Sequence, residues 1–180
     1  MKNDYNARHL NIDSFTQSHG SLTGQCQLID LKRFVAEAQG PIDDAVMRYV
    51  AEGSLRVDAA AGEQVWLSLN AEAALPMVCQ RCLGPVNVPL QVSREFRFVA
   101  TEEMAEIEDE EAEEDVLVSS RDFNLIELVE DELLMALPVV PKHVVCPSNV
   151  QLQAVDPDFE QSLPEKPNPF AVLKQLKSKP

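Results

Sequence analysis

The sequence is poor in the groups on which most enzyme sites are built. Its three histidines (His9, His19 and His143) are scattered, and only six glycines occur in 180 residues. It has no glycine-rich phosphate loop and no serine in a nucleophile-elbow context, which removes the common phosphoryl-transfer and serine-hydrolase frameworks. Bases are scarce: 15 Lys and Arg stand against 30 Asp and Glu, a net charge of −15. Nucleic-acid affinity rests largely on cations that neutralise phosphates, so broad duplex binding is disfavoured; RNA contact has to be local or made through another protein. No uncharged apolar run approaches the roughly 18 residues of a membrane span. The opening Met1-Lys2-Asn3-Asp4-Tyr5 leads into no apolar stretch, so no signal peptide is expected and the expected location is cytoplasmic. In that compartment Cys26, Cys79, Cys82 and Cys146 are expected as thiols or metal ligands rather than as a disulfide framework.

What is present is enough for one folded domain. Hydrophobic residues make up 45% of the chain, and a domain of roughly 150 residues buries about 68–70% of its unfolded surface. The acidity is concentrated: residues 102–115 hold ten acids and no base, and the remainder is only mildly acidic. That tract is expected to be a disordered or weakly ordered loop, because its charges repel and few apolar residues interrupt them.

The middle of the chain alternates. Leu55, Val57 and Ala59 interleave with Arg56 and Asp58; Val65, Leu67 and Leu69 interleave with Trp66, Ser68 and Asn70. Val86, Val88, Leu90, Val92, Phe96 and Phe98 share one parity that only Arg94 breaks. Period two predicts strands with one buried face, here over about 44–59, 64–78 and 86–99, with a shorter one over 24–30. Asp30 is placed to cap a short helix over 31–39 that Gly40-Pro41 ends. Over 125–137, Leu125, Leu128, Val129, Leu133 and Ala136 form a helical stripe, with Asn124 and Glu127 at capping-box spacing and Pro138 and Pro141 beyond the end. The expected fold class is α+β: an antiparallel β-meander or partly closed barrel with a packed C-terminal amphipathic helix and extended termini. The expected organisation is a polar, loosely docked arm (1–20), one domain (21–146), and a Pro-rich connector with a basic tail (147–180), in which 170–177 has the pattern of a short amphipathic helix.

The most informative local feature is Cys79-Gln80-Arg81-Cys82 between two strands. Its spacing suits two ligands of a tetrahedral Zn²⁺, and His143-x-x-Cys146 offers the second pair. Two other readings stand beside zinc: a redox-active pair, and plain thiols in a turn. The redox reading is the weakest, because a strand rather than a helix N-terminus adjoins the pair. Cys26 alternates with Leu28 as a small buried hydrophobe would. Glu130-Asp131-Glu132 reads as a solvated helix face, with Glu127, Glu130 and Asp131 also able to face a partner. The candidate contacts for RNA or a partner are Arg81, Arg94 and Arg97, and, in the tail, Lys166, Lys174, Lys177 and Lys179. No catalytic residues are identified and no enzymatic activity is expected. The acidic tract is suited to a basic protein partner on charge alone.

Three blocks carry a resemblance. Cys79-Gln80-Arg81-Cys82, then Leu128-Val129-Glu130-Asp131-Glu132-Leu133-Leu134-Met135-Ala136-Leu137-Pro138-Val139-Val140-Pro141-Lys142-His143, then Lys166-Pro167-Asn168-Pro169-Phe170-Ala171-Val172-Leu173 resemble the bacterial YceD family of large ribosomal RNA subunit accumulation proteins. The likeness runs from about residue 75 to the C-terminus. It implies a non-catalytic role in the synthesis, processing or stability of 23S ribosomal RNA, with that RNA or its precursor particles as partner, directly or through ribosomal proteins. Some relatives carry further cysteines after the proline-rich helix end, where this sequence has His143 and Cys146.

Overall fold

The structure, a computed structural model, describes residues 5–59 and 62–148. By its contacts the chain divides into Met1–Cys146 and Pro147–Pro180, and the strands and helices found among the described residues lie in the first unit. The connector and tail, with Lys166, Lys174, Lys177, Lys179 and the helix expected over 170–177, lie outside the described residues.

Five strands form one open sheet in sequence order: β1 (Ser21–Gln27), β2 (Val46–Asp58), β3 (Gly62–Val78), β4 (Pro85–Val99) and β5 (Asp115–Val118). The first four run antiparallel, as a meander of sequential strands should. β5 adds parallel to β4, pairing Phe96 with Asp115 and Val99 with Val118. The sheet does not close into a barrel, so of the two expected forms the meander is the one adopted. The expected strands at 44–59, 64–78 and 86–99 fall within two residues of β2, β3 and β4. Their alternation sends Met47, Tyr49, Ala51, Leu67, Leu69, Ala71, Leu75, Leu90, Phe96 and Phe98 to one buried face.

Three helices are associated with the core: α1 (Ile12–Gln17), α2 (Lys32–Ala36) and α4 (Leu125–Met135). α4 starts where the sequence places it, with the Asn124 side chain accepting the Glu127 backbone N–H at 3.3 Å. Leu125, Ile126, Val129 and Leu133 are buried on its inner face.

The N-terminal segment departs from expectation. Residues 1–20 are not a loosely docked arm as far as they are described. Asn11 caps α1 through Ser14 N at 2.9 Å, and Leu10, Ile12 and Phe15 are all within 1% of complete burial. Leu10 also exchanges backbone hydrogen bonds with Phe123, at 2.8 and 2.9 Å. α1 lies so close to β2 that a Cβ on Gly53 would sit 2.7 Å from the Phe15 ring and 2.9 Å from Thr16 Cα. The segment is polar in composition, but its few apolar residues at i and i+3 all point inward.

The acidic tract is also ordered. Thr101 caps an eight-residue helix, α3 (Glu102–Asp109), by accepting from Met104 N, and the two acids of its first turn suit the positive helix end. The tract then turns back into β5. Val99, Ala105 and Val116 form a small second core there. Arg97 has the opposite parity to Phe96 and Phe98, so this lobe covers the other face of β4. The self-repulsion expected to disorder the tract is offset by cations on β4: Arg97 binds Glu108 and, at 2.6 Å, Glu114, and Arg94 binds Asp115.

Two further corrections concern α2 and α4. Asp30 does not cap α2; its N-cap position is Leu31, with no side-chain bond. Nor is Glu130-Asp131-Glu132 a solvated face, for Glu130 and Glu132 are 7% and 5% exposed. Glu130 supplies the missing cap from another helix, accepting the backbone N–H groups of Arg33 at 2.8 Å and Phe34 at 3.1 Å. Of the three acids expected to face a partner, Glu127 is exposed, Asp131 is half-exposed and bound by Arg33, and Glu130 is buried. Among the described residues no buried side-chain nitrogen or oxygen lacks a hydrogen-bond partner.

Candidate metal centre

β3 ends at Val78 and β4 begins at Pro85, so the hairpin turn between them is Cys79 to Gly84. It is a knuckle closed by its own backbone: Leu83 N donates to Cys79 O at 2.8 Å and Cys79 N to Gly84 O at 2.9 Å. Leu83 takes φ 57°, the left-handed region that lets so tight a turn reverse. The prolines after α4 bring residues 139–146 back over this turn, and Gln80 N fastens them by donating to Pro141 O at 2.8 Å.

The two segments bring Cys79, Cys82, His143 and Cys146 together, with one ligand atom from each and all four atoms within 4.8 Å of one another. Cys79 Sγ lies 3.9 Å from Cys146 Sγ, and Cys82 Sγ lies 3.3 Å from His143 Nδ1. Ligands about 2.3 Å (sulfur) and 2.0 Å (nitrogen) from a tetrahedral ion are separated by edges of roughly 3.5–3.8 Å. The separations on both sides of the cluster match that scale. His143 Nε2–H donates to Pro85 O at 3.0 Å, which turns the Nδ1 lone pair toward the sulfurs. The four expected ligands therefore form a donor set that can bind a metal. With four protein ligands it is a closed site, holding no position for a substrate.

The electrostatics favour a thiolate at Cys79. Burial works to raise the Cys79 thiol, but the backbone N–H groups of Cys82, His143 and Arg81, with the Cys82 thiol, outweigh it and bring it down to about 5. For Cys82 the Gly84 N–H acts downward, yet burial and the sulfurs of Cys79 and Cys146 prevail and push it up. Arg81 Nε donates to Cys146 Sγ at 3.0 Å, and its guanidinium also reaches His143 O at 2.7 Å. Arg81 thus fastens the returning segment through the Cys146 sulfur and the His143 carbonyl. A depressed thiol also suits a redox enzyme, but Cys79 is completely buried and cannot attack a protein substrate. Cys26 lies apart from the cluster, partly buried against the core, with burial the main force raising its thiol.

The other expected contact residues are not brought together as a basic patch. Arg97 is 7% exposed beneath Glu108 and Glu114. Arg94 faces α4, with Asp115 and, at 3.6 Å, Glu132. Arg33, Arg48 and Arg56 are likewise committed to Glu130, Glu72 and Glu95. Sequence reasoning did not identify this pattern, in which most arginines serve the fold; the one signal was the Arg94 break in the β4 apolar parity.

A feature of the site that the sequence reading missed is its apolar rim. Leu83, Val139, Val140, Val144 and Val145 are all exposed, Val139 and Val144 at 98%. Among the described residues no helix is long and apolar enough to cross a membrane.

Comparisons with known proteins agree on one family. No solved structure matches the chain. The large ribosomal RNA subunit accumulation protein YceD of Haemophilus influenzae is 38% identical over 103 residues, 56% of this chain and 59% of that protein, so the match spans less than two thirds of the relative's length. The family model described as "Large ribosomal RNA subunit accumulation protein YceD" matches residues 67–177, which takes in the knuckle, β4, the acidic lobe, α4 and the returning segment. The chain belongs to the YceD family.

Proposed function

We propose that this protein is a non-catalytic accessory factor in the cytoplasm that supports the synthesis, processing or stability of 23S ribosomal RNA. Family membership supports the process. The manner of action rests on one observation: the arginines of the folded domain are largely consumed by its own carboxylates. A domain of this kind has little to offer phosphates, so it reaches the RNA through ribosomal proteins or through the tail lysines Lys166, Lys174, Lys177 and Lys179. The exposed acids of α3 suit basic protein partners. Deleting the gene tests the process: large-subunit RNA should fall relative to small-subunit RNA, and unchanged levels would overturn the proposal. Pull-down with and without ribonuclease tests the manner: protein partners should persist after digestion.

The Cys79–Cys82–His143–Cys146 cluster is a structural zinc site in this reading. The ion would supply cross-linking, holding the segment after α4 against the β3–β4 knuckle, with His143 oriented by Pro85 and Cys146 by Arg81. Elemental analysis of the purified full-length chain tests this, with one zinc per chain expected.

A further inference from the structure

The ligand cluster contains an oxidisable pair, and we propose that it is a peroxide-sensitive switch in which Cys146 and Cys79 form a disulfide and withdraw together from the metal. The inference rests on the zinc reading above and adds to it a regulation.

Three observations carry it. Cys79 Sγ and Cys146 Sγ are neighbours at 3.9 Å, so an approach of roughly 1.9 Å brings them to disulfide bonding distance. They differ in access: Cys79 is completely buried, whereas Cys146 is half-buried at the edge of the site. Cys146 is also the sulfur that takes the Arg81 Nε–H, at 3.0 Å. Oxidation selects thiols that the oxidant can reach, and a sensor cysteine works with a resolving partner beside it. Cys146 has the first role and Cys79 the second.

The chemistry balances with a hydroperoxide as oxidant. Cys146 Sγ attacks one peroxide oxygen; an S–O bond forms, the O–O bond breaks, and the departing hydroxide takes a proton to become water. Cys79 Sγ then attacks the Cys146 sulfur; the S–S bond forms, the S–O bond breaks, and a second hydroxide leaves as water. Two thiolates lose two electrons and hydrogen peroxide gains them. Two of the four ligands are then withdrawn, and Cys82 with His143 alone cannot hold the ion tightly. The new bond keeps residue 146 on the knuckle, so the fold stays closed. What changes is the loop between, where His143 loses its ligand role and the exposed Val144 and Val145 are free to rearrange. The switch therefore acts on the apolar rim of the site, not on the core.

The test uses the full-length chain carrying Cys26→Ser, which silences the one thiol outside the cluster, loaded with zinc. Hydrogen peroxide is added with a chromogenic chelator present, and the products are mapped by non-reducing peptide mass spectrometry. Loss of the bound zinc, in step with a Cys79–Cys146 linked peptide and reversed by dithiothreitol plus zinc, is the expected result. Failure to take up zinc before peroxide would sink the zinc reading. Zinc held after oxidant treatment, or released with a Cys79–Cys82 link instead, would overturn the switch and leave that reading intact.

Discussion

The carboxylate of Glu130 on α4 binds the backbone N–H of Arg33 at 2.8 Å and its guanidinium at 3.1 Å, so one buried side chain caps α2 and pairs with its first turn. Phe34 N, at 3.1 Å, is held by the same oxygen. α2 is only five residues long and has no cap of its own, so its position depends on α4.

Replacing Glu130 with Ala should therefore destabilise the domain by about 2–3 kcal/mol, the sum of a lost cap and buried N–H groups left unmet. Glu130→Gln keeps an acceptor for the two N–H groups and should cost about 1 kcal/mol. Urea denaturation of both variants measures the difference. A solvated Glu130 would make both changes nearly neutral.

The second expected outcome concerns Arg97. Its side chain is 9% exposed, and its partners Glu108 and Glu114 are 34% and 24% exposed. Burial disfavours its charge, but the two carboxylates outweigh that and hold it protonated. Removing one partner of a fully buried pair costs about 3–5 kcal/mol; here water reaches the carboxylates, so Arg97→Ala should cost about 2 kcal/mol. The loss should be local. A glutamate-specific protease should cut within 102–114 much faster in the variant, because α3 and β5 are tied to β4 through this contact. Equal cleavage rates would show that the lobe is held by Val99, Ala105 and Val116 alone.

These two contacts show where the sequence was legible and where it was not. The parity of β2, β3 and β4 was readable because burial of one sheet face imposes period two on neighbouring residues. The metal cluster was readable because two x-x spacings present paired donors, although the turns that bring them together are tertiary. The cap on α2 was not, since its acceptor is 96–97 residues away. The acidic tract was misread for a similar reason: its repulsion is visible in sequence, while the neutralising Arg94 and Arg97 sit on a strand whose register decides that they meet it. The N-terminal segment was misjudged by average polarity. Asn11, followed by Ile12 and Phe15, is a cap with two apolar residues one turn apart, and it was the available signal.

Glu132 gives a pH prediction. Burial raises its carboxyl above the ordinary range; Arg94 opposes this, and Asp115 and Asp131 add to it. The folded state thus holds a proton more tightly than the unfolded one at this site. The contribution from Glu132 is full below the ordinary carboxylate range and is lost as pH rises through the raised folded value. Glu132→Gln should remove that dependence. Its stability relative to the native chain should improve as pH increases across this window, offset by the lost contact with Arg94 at 3.6 Å. Melting curves at several pH values decide it; a constant gap between the two proteins would show that the site does not titrate in this window.

Metal removal is the last prediction. A ligand that binds only the folded state stabilises it by about 2.7 kcal/mol when present at 100 times its dissociation constant. For a chain of this size, that corresponds to a fall of roughly 5–10 °C in melting temperature on chelation. The change should be largest at the knuckle. Hydrogen exchange at Gln80 N, which donates to Pro141 O, and at His143 N, 3.4 Å from Cys79 Sγ, should speed up before the amides of β2 and β3 respond. Cys82→Ser should reproduce the chelated behaviour and make added chelator ineffective. If chelator shifts neither the melting temperature nor these two amides, the four side chains are packed thiols and an imidazole, held by Arg81 and Pro85 without an ion.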